Sequence, residues 1–206
     1  MEAELIGALI GDGYISLASG KYIVGFVGHP IDDLEYHKYL SKLMQKVWDK
    51  VPRSVIRLGG LRTKFYSKEI CYKLINDLGL LYGAGKAKNV FIPEMFVLNW
   101  KLLKYIIRGI VDTDGSVFYS KKPGVEKYPA IEITTISIKL AEQLRESLLC
   151  QSFRVTKLRS YGGQLSKHRK YKVGLYGQNN LMHWLKEIGF SNPTKQAKAI
   201  ALCSDY

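Results

Sequence analysis

A nine-residue pattern that occurs twice constrains this chain more than any other feature. The first copy is Leu5-Ile6-Gly7-Ala8-Leu9-Ile10-Gly11-Asp12-Gly13 and the second is Ile107-Arg108-Gly109-Ile110-Val111-Asp112-Thr113-Asp114-Gly115. Overlaid, Gly7 falls on Gly109, Gly11 on Thr113, Asp12 on Asp114 and Gly13 on Gly115. Each copy is an apolar run that ends in Asp-Gly and leads into a β-like stretch, Tyr14-Ile15-Ser16 or Ser116-Val117-Phe118. One such run means little. Two, each at the head of one half of a 206-residue chain, predict a duplicated, pseudo-two-fold molecule.

The spacing inside each copy has a physical reading. Gly7 and Gly11 lie four apart and share a helix face, as do Gly109 and Thr113. Small residues at that spacing let two helix backbones approach closely. The two motif helices are therefore expected to pack on each other, parallel, and to join the halves. Asp12 and Asp114 then fall at helix C-terminal ends, where the macrodipole disfavours negative charge. Brought together they repel, and a divalent cation with a preference for oxygen ligands, such as Mg²⁺, relieves that repulsion. Paired acids on a basic surface suit metal-assisted phosphodiester hydrolysis.

Read in order, each half predicts the elements α-β-β-α-β-β-α, with a boundary near residue 95. In residues 1–95 the expected elements are a helix over 3–12 closed by Gly13, strands 14–18 and 22–28, and a helix over 32–49 capped by Asp32. Strands then flank Gly59-Gly60, and a helix over 68–78 is closed by Gly79. In residues 96–206 they are a helix over 100–113, strands 116–121 and 128–135, and a helix over 137–150. Strands 153–160 and 169–176 follow around Gly162-Gly163, then a helix over 178–188, and a last helix opened by Asn192-Pro193. The fold class expected is α+β.

Charge narrows the partner. The chain carries 31 Lys+Arg against 18 Asp+Glu, a net +13, with a pI near 9.5. That excess points to a polyanion, nucleic acid before an anionic membrane. Residues 101–206 hold most of it, with 18 basic against 8 acidic residues, compared with 13 against 10 in residues 1–100. Cys71, Cys150 and Cys203 are odd in number and lack CxxC spacing, which argues for reduced thiols and against a zinc site. The opening Met-Glu-Ala-Glu has no basic lead and no window is long and apolar enough for a membrane span, so neither a signal peptide nor a membrane partner is expected. The location expected is intracellular, in prokaryotic cytoplasm or nucleoid, or in an organelle.

The two copies resemble the LAGLIDADG motifs of homing endonucleases in the monomeric, two-motif arrangement. Copy two matches at both glycines and both aspartates; copy one carries Ile10 where the pattern has its earlier Asp. The resemblance implies two halves joined through the motif helices, with four strands per half forming a DNA-binding saddle. It implies intron homing by a monomeric hydrolase that cuts both strands of a long asymmetric double-stranded DNA site across the minor groove, leaving 3′ overhangs. It also implies Mg²⁺, with Mn²⁺ as a substitute, held by Asp12 and Asp114 and by the carbonyls of Gly11 and Thr113. Polar residues at the second strand ends, His29 and Thr135, position water in this reading. A lysine near the scissile phosphate falls at Lys86 or Lys88 in one half and Lys195 or Lys198 in the other, with Lys86 and Lys195 preferred.

DNA contacts are expected from the strands around the two Gly-Gly turns. In the first half these are Arg57, Arg62 and Lys64. In the second they are Arg154, Lys157, Arg159, Lys167, Arg169, Lys170 and Lys172. An enzyme alternative, a haloacid-dehalogenase-type phosphatase, fails for want of a later acidic pair, and a calcium-binding loop fails because Asp112-Thr113-Asp114-Gly115 lacks the EF-hand spacing. The remaining alternative is a splicing maturase, or another nucleic-acid-binding protein of the same fold that does not cleave.

Overall fold

A computed structural model describes residues 1–83, 85–162 and 168–204. Its first half runs α1 (Glu2–Ile10), β1 (Gly13–Ser16), β2 (Ile23–Gly28), α2 (Leu34–Trp48), β3 (Arg53–Arg57), β4 (Gly60–Tyr66) and α3 (Lys68–Tyr72), which continues as a π-helical turn over Lys73–Asp77. A 3₁₀ turn, Lys86–Lys88, and a short helix α4 (Glu94–Val97) lead to the second half. That half runs α5 (Trp100–Asp114), β5 (Gly115–Lys122), β6 (Val125–Thr135), α6 (Ile138–Cys150), β7 (Arg159–Tyr161), β8 (Lys170–Tyr176) and α7 (Gln178–Glu187), followed by α8 (Pro193–Ser204). The expected α-β-β-α-β-β-α order is present in both halves, and the class is α+β.

Each half folds its strands into an antiparallel sheet of the same topology, β1-β2-β4-β3 in one and β5-β6-β8-β7 in the other. One sheet face supplies core residues and the other faces outward. In β4 the alternation is plain: Leu61, Thr63 and Phe65 are buried, while Arg62 and Tyr66 are exposed and Lys64 half-buried. Period-two alternation of this kind is what a one-sided sheet requires. The core is continuous from α1 through α5, with Leu5, Ile6, Ile106, Ile107 and Ile110 almost wholly removed from water.

α1 and α5 run parallel through the middle of this core. A Cβ on Gly7 would stand 2.0 Å from the carbonyl oxygen of Ile106, and one on Gly109 would stand 2.3 Å from that of Glu4. Further along, a Cβ on Gly11 would stand 2.0 Å from Thr113 Oγ1. Backbone thus lies directly on backbone. A glycine inside a helix costs about 1 kcal/mol against alanine, and this contact is what offsets it. Thr113 fits the same crossing because its hydroxyl turns back onto its own helix, donating to the carbonyls of Gly109 and Ile110 at 3.0 and 2.9 Å.

Several local expectations change. α1 stops at Ile10, and Gly13 is the first residue of β1; its requirement is space, since a Cβ there would meet Leu9 Cα at 2.5 Å. Asp32 does not cap α2. The helix begins one residue later, after Asp33, whose carboxylate accepts from His29 N at 2.6 Å and closes the preceding turn instead. The first hairpin turns on Leu58-Gly59, both at positive φ (51° and 75°), as a two-residue primed turn requires. The strand expected over 153–160 shrinks to β7. Val155 makes an isolated bridge to Leu175, and Thr156 O is taken by Arg145 Nε. The three cysteines are free thiols, and among the described residues no helix is long and apolar enough to cross a membrane.

Candidate active site

The parallel packing of α1 and α5 brings their C-terminal ends, and so Asp12 and Asp114, together. The two carboxyls hydrogen-bond to each other. Burial and the neighbouring Asp12 charge push Asp114 up to about 7, and desolvation raises Asp12 as well. A pair of like charges at this separation holds a proton between its members unless a cation replaces it.

Two lysines close on the pair from opposite halves. Lys86, on the 3₁₀ turn, donates to Leu9 O at 2.6 Å. Lys195, in the first turn of α8, donates to Val111 O, Asp112 O and Thr113 O at 2.8, 2.8 and 2.9 Å. Both ammonium groups therefore rest on the carbonyls that end the motif helices, where the helix dipole favours positive charge. Burial drives Lys86 down to about 8 against the pull of Asp114 and Asp12, and lowers Lys195 too. Lys88 is exposed, and Lys198 borders the cavity beside Lys195.

Two cavities flank the carboxylates. Asp12, Asp114, Gly11, Lys86, Thr134, Thr135 and Lys170 border one, so Thr135 from the second half faces the lysine of the first. Lys195, Asn192, Asp32, Asp33, Ser116 and Glu132 border the other. His29 is not on its wall. The His29 side chain is exposed and its Nδ1 engages Asp32, at 3.1 Å from the carboxylate. Asp33, the residue before α2, borders the second cavity.

The outward face of the first sheet carries Arg62 and Lys64 on β4, opposite Val55 and Arg53 on β3, with Arg57 at the turn. Arg53 was missed by the sequence reading; its register partner Lys64 is what places it there. In the second sheet Lys172 pairs across from Arg159, and Lys170 from Tyr161, so these basic residues share the outward face. Lys172 also makes a 2.7 Å ion pair with Glu132, to which Tyr176 donates a hydrogen bond. Arg169 is exposed just before β8. Arg154 and Lys157 lie elsewhere: the Arg154 backbone is clamped by Asn180 of α7, and Lys157 sits beside Glu142 and Glu146 of α6. Lys167 falls outside the described residues.

Two like halves are joined through small-faced parallel helices, each leading into Asp-Gly and an antiparallel sheet. Residues 101–189 match the family model described as a LAGLIDADG-like domain. The fold is similar to solved structures of the homing endonuclease I-DmoI. One in complex with DNA and Ca aligns with a TM-score of 0.66 at 16% identity, over 97% of this chain and 95% of that one. One in complex with DNA and Mn aligns at 0.63 and 16%, over 90% and 94%. A structure of the meganuclease I-SmaMI bound to uncleaveable DNA aligns at 0.58 and 13%, over 98% and 89%. In sequence, the chain is 27% identical over 202 residues to the replication factor C small subunit of Thermococcus kodakarensis and 28% identical over 205 to that of Methanocaldococcus jannaschii. It spans 21% and 10% of those proteins' lengths, so the matching stretch in each lies within a much longer polypeptide. The likeness to these solved structures shows the fold, and the family-model match covers residues 101–189 of the chain.

Proposed function

We propose that this protein is a site-specific, divalent-metal-dependent double-stranded DNA endonuclease of the homing type. The observation that carries the reading is the meeting of Asp12 and Asp114, one from each half (residues 1–95 and 96–206), at the joined ends of α1 and α5. A shared proton is a poor use of two carboxylates beside two buried lysines, whereas a hard cation suits an all-oxygen donor set of this kind. Asp12, Asp114 and the carbonyls of Gly11 and Thr113 would hold Mg²⁺, or Mn²⁺ in its place. Among the described residues no group of three or more His, Cys, Asp or Glu could hold a metal ion by itself, so these two carboxylates and two carbonyls are the protein's donors in this reading. A cation held there would supply positive charge to offset what builds on the phosphate and the leaving oxygen.

The chain's own groups supply the rest. Lys86 and Lys195, held on the carbonyls that end the motif helices, would each serve one scissile phosphate. Lys86, with its proton affinity lowered to about 8, can give up or take a proton close to neutral pH. Thr135, at the end of β6 and on the Lys86 cavity wall, orients water there; the end of β2, at His29 and Asp33, serves the opposite side. Arg53, Arg57, Arg62, Lys64, Arg159, Lys170 and Lys172 engage DNA along the outward sheet faces, most of them through phosphate. One protein of this kind, with unlike halves, reads a long asymmetric site and cuts across the minor groove to leave 3′ overhangs.

The test is a cleavage selection on a random DNA library with Mg²⁺. Recovery of one long asymmetric site, cut in both strands with 3′ overhangs, is the expected result. DNA binding without any cleavage, in Mg²⁺ or Mn²⁺, overturns the endonuclease reading in favour of a splicing or binding role.

A further inference from the structure

The two halves hold their lysines by different means. In the second half Lys195 rides on a capped helix. Asn192 is the N-cap of α8: its Oδ1 accepts from Thr194 N and Lys195 N at 3.1 and 3.3 Å, and Pro193 fills the first helical position. Asp112 locks that cap to α5. Its Oδ2 accepts from Ser191 N at 2.8 Å, and its backbone carbonyl accepts from Asn192 Nδ2 at 3.1 Å. Asp112 is 1% exposed. Its other oxygen is buried without a hydrogen-bond partner among the described residues, as is the hydroxyl of Tyr36 from α2. The lysine itself reaches three carbonyls.

Among the described residues the first half shows no counterpart of this arrangement. Ile10 stands where copy two has Asp112. Lys86 opens a three-residue 3₁₀ turn that follows Gly85 at φ 83° and has no side-chain cap. Among the described residues its hydrogen bond goes to Leu9 O, the carbonyl that overlays Val111 O.

We propose that Asp112 and Asn192 are positioning residues that fix Lys195, and that the two DNA strands are therefore served by unequally held lysines, with the strand facing Lys195 cut first. The proposal rests on the endonuclease reading for its strand order, but not for the placement of Lys195.

The test uses the full chain and the selected site, with each strand labelled, in Mg²⁺. Lys195→Ala and Lys86→Ala identify which strand each lysine serves. Asp112→Ile, which gives copy two the residue of copy one, is expected to slow the Lys195 strand about 100-fold, the loss that goes with a misplacement of about 1 Å. It should leave the Lys86 strand within about threefold, so that a nicked product accumulates. Asn192→Ala should slow the same strand. Asp112→Asn keeps an acceptor for Ser191 N and should restore near-native rates on both strands. A second readout needs neither metal nor DNA: amine labelling of Lys195, followed by mass spectrometry, should rise about tenfold in Asp112→Ile and Asn192→Ala and stay low in Asp112→Asn.

Equal slowing of both strands overturns the proposal, as does failure of Asp112→Asn to rescue, or Lys195 labelling that does not change. If Asp112→Ile does not fold, Asn192→Ala decides, and an unaltered strand ratio with unaltered labelling refutes it. If the native protein cuts no DNA, the endonuclease reading fails, and the labelling arm still decides whether Asp112 places Lys195.

Discussion

Replacing Gly7 with alanine tests the helix crossing from which the whole site follows. The new Cβ would stand 2.0 Å from Ile106 O, where ordinary contact begins at 3.4 Å, so α1 and α5 must part by about 1.4 Å. Both obstructing groups are backbone in buried helices, and no flexible side chain can give way. Alanine gains about 1 kcal/mol in helix propensity. Overpacking a core costs about 1–3 kcal/mol and more when backbone must move. Here the parting also loosens contacts among Leu5, Ile6, Ile106 and Ile110 along the seam. The expected net loss is about 3 kcal/mol, read from the urea midpoint at unchanged slope. Gly60→Ala is the control, because its Cβ would meet nothing closer than 3.8 Å; it should lie within about 0.5 kcal/mol of the native protein. The separation should also weaken Mg²⁺ binding, since it pulls Asp12 from Asp114. A Gly7→Ala protein as stable as the native one would refute the close-packed crossing.

Other outcomes follow from the same geometry. Asp112 and Asp114 are both raised to about 7, chiefly by burial, so the folded protein binds protons that the unfolded chain, near pKa 3.8, releases earlier. Stability of the metal-free protein should therefore fall as pH rises from about 4 to 7, by roughly 4 kcal/mol at most for one such group. Mg²⁺ should recover more stability at pH 8 than at pH 5, and thermal unfolding that is flat across this range in the absence of metal contradicts the paired burial. Binding to the selected DNA should weaken steeply between 50 and 200 mM salt, by about 10³-fold or more if six or more phosphates are neutralised; a salt-insensitive affinity argues against the basic faces as the grip. Arg53→Ala should lose affinity across all sequences, while Lys157→Ala should stay within about twofold of native, and equal losses in a filter-binding assay would contradict the assignment of outward faces.

Much of the architecture is legible in the residues. The repeated Gly-x-x-x-small spacing makes sense only if another backbone lies against it, and Gly7 and Gly109 do lie against one. Asp12 and Asp114 follow, because α1 leads into the one and α5 ends on the other. Lys86 and Lys195 could be placed by their position in each half, and the structure sets both on motif-helix carbonyls. What was not legible depends on register and on competition between equivalent groups. Asp32 and Asp33 are equally good caps by type, and the turn donor His29 N took Asp33. Arg53 joins the outward face only through its pairing with Lys64, which no local pattern announces. Arg154 and Lys157 read as strand residues, but Asn180 and α6 claim that segment's backbone and surroundings. Asp112 looked like part of a motif; its work for Lys195 appears only once α8 folds back onto α5, about 80 residues later in sequence.

The most direct test of the central claim compares Asp12→Asn and Asp114→Asn with the native protein on the selected site, measuring cleavage of each strand in Mg²⁺ and binding in its absence. Loss of double-strand cleavage in both variants, with DNA affinity kept within about threefold, is the predicted result. Cleavage of both strands at the native rate by either variant would contradict a cation site shared between the two halves.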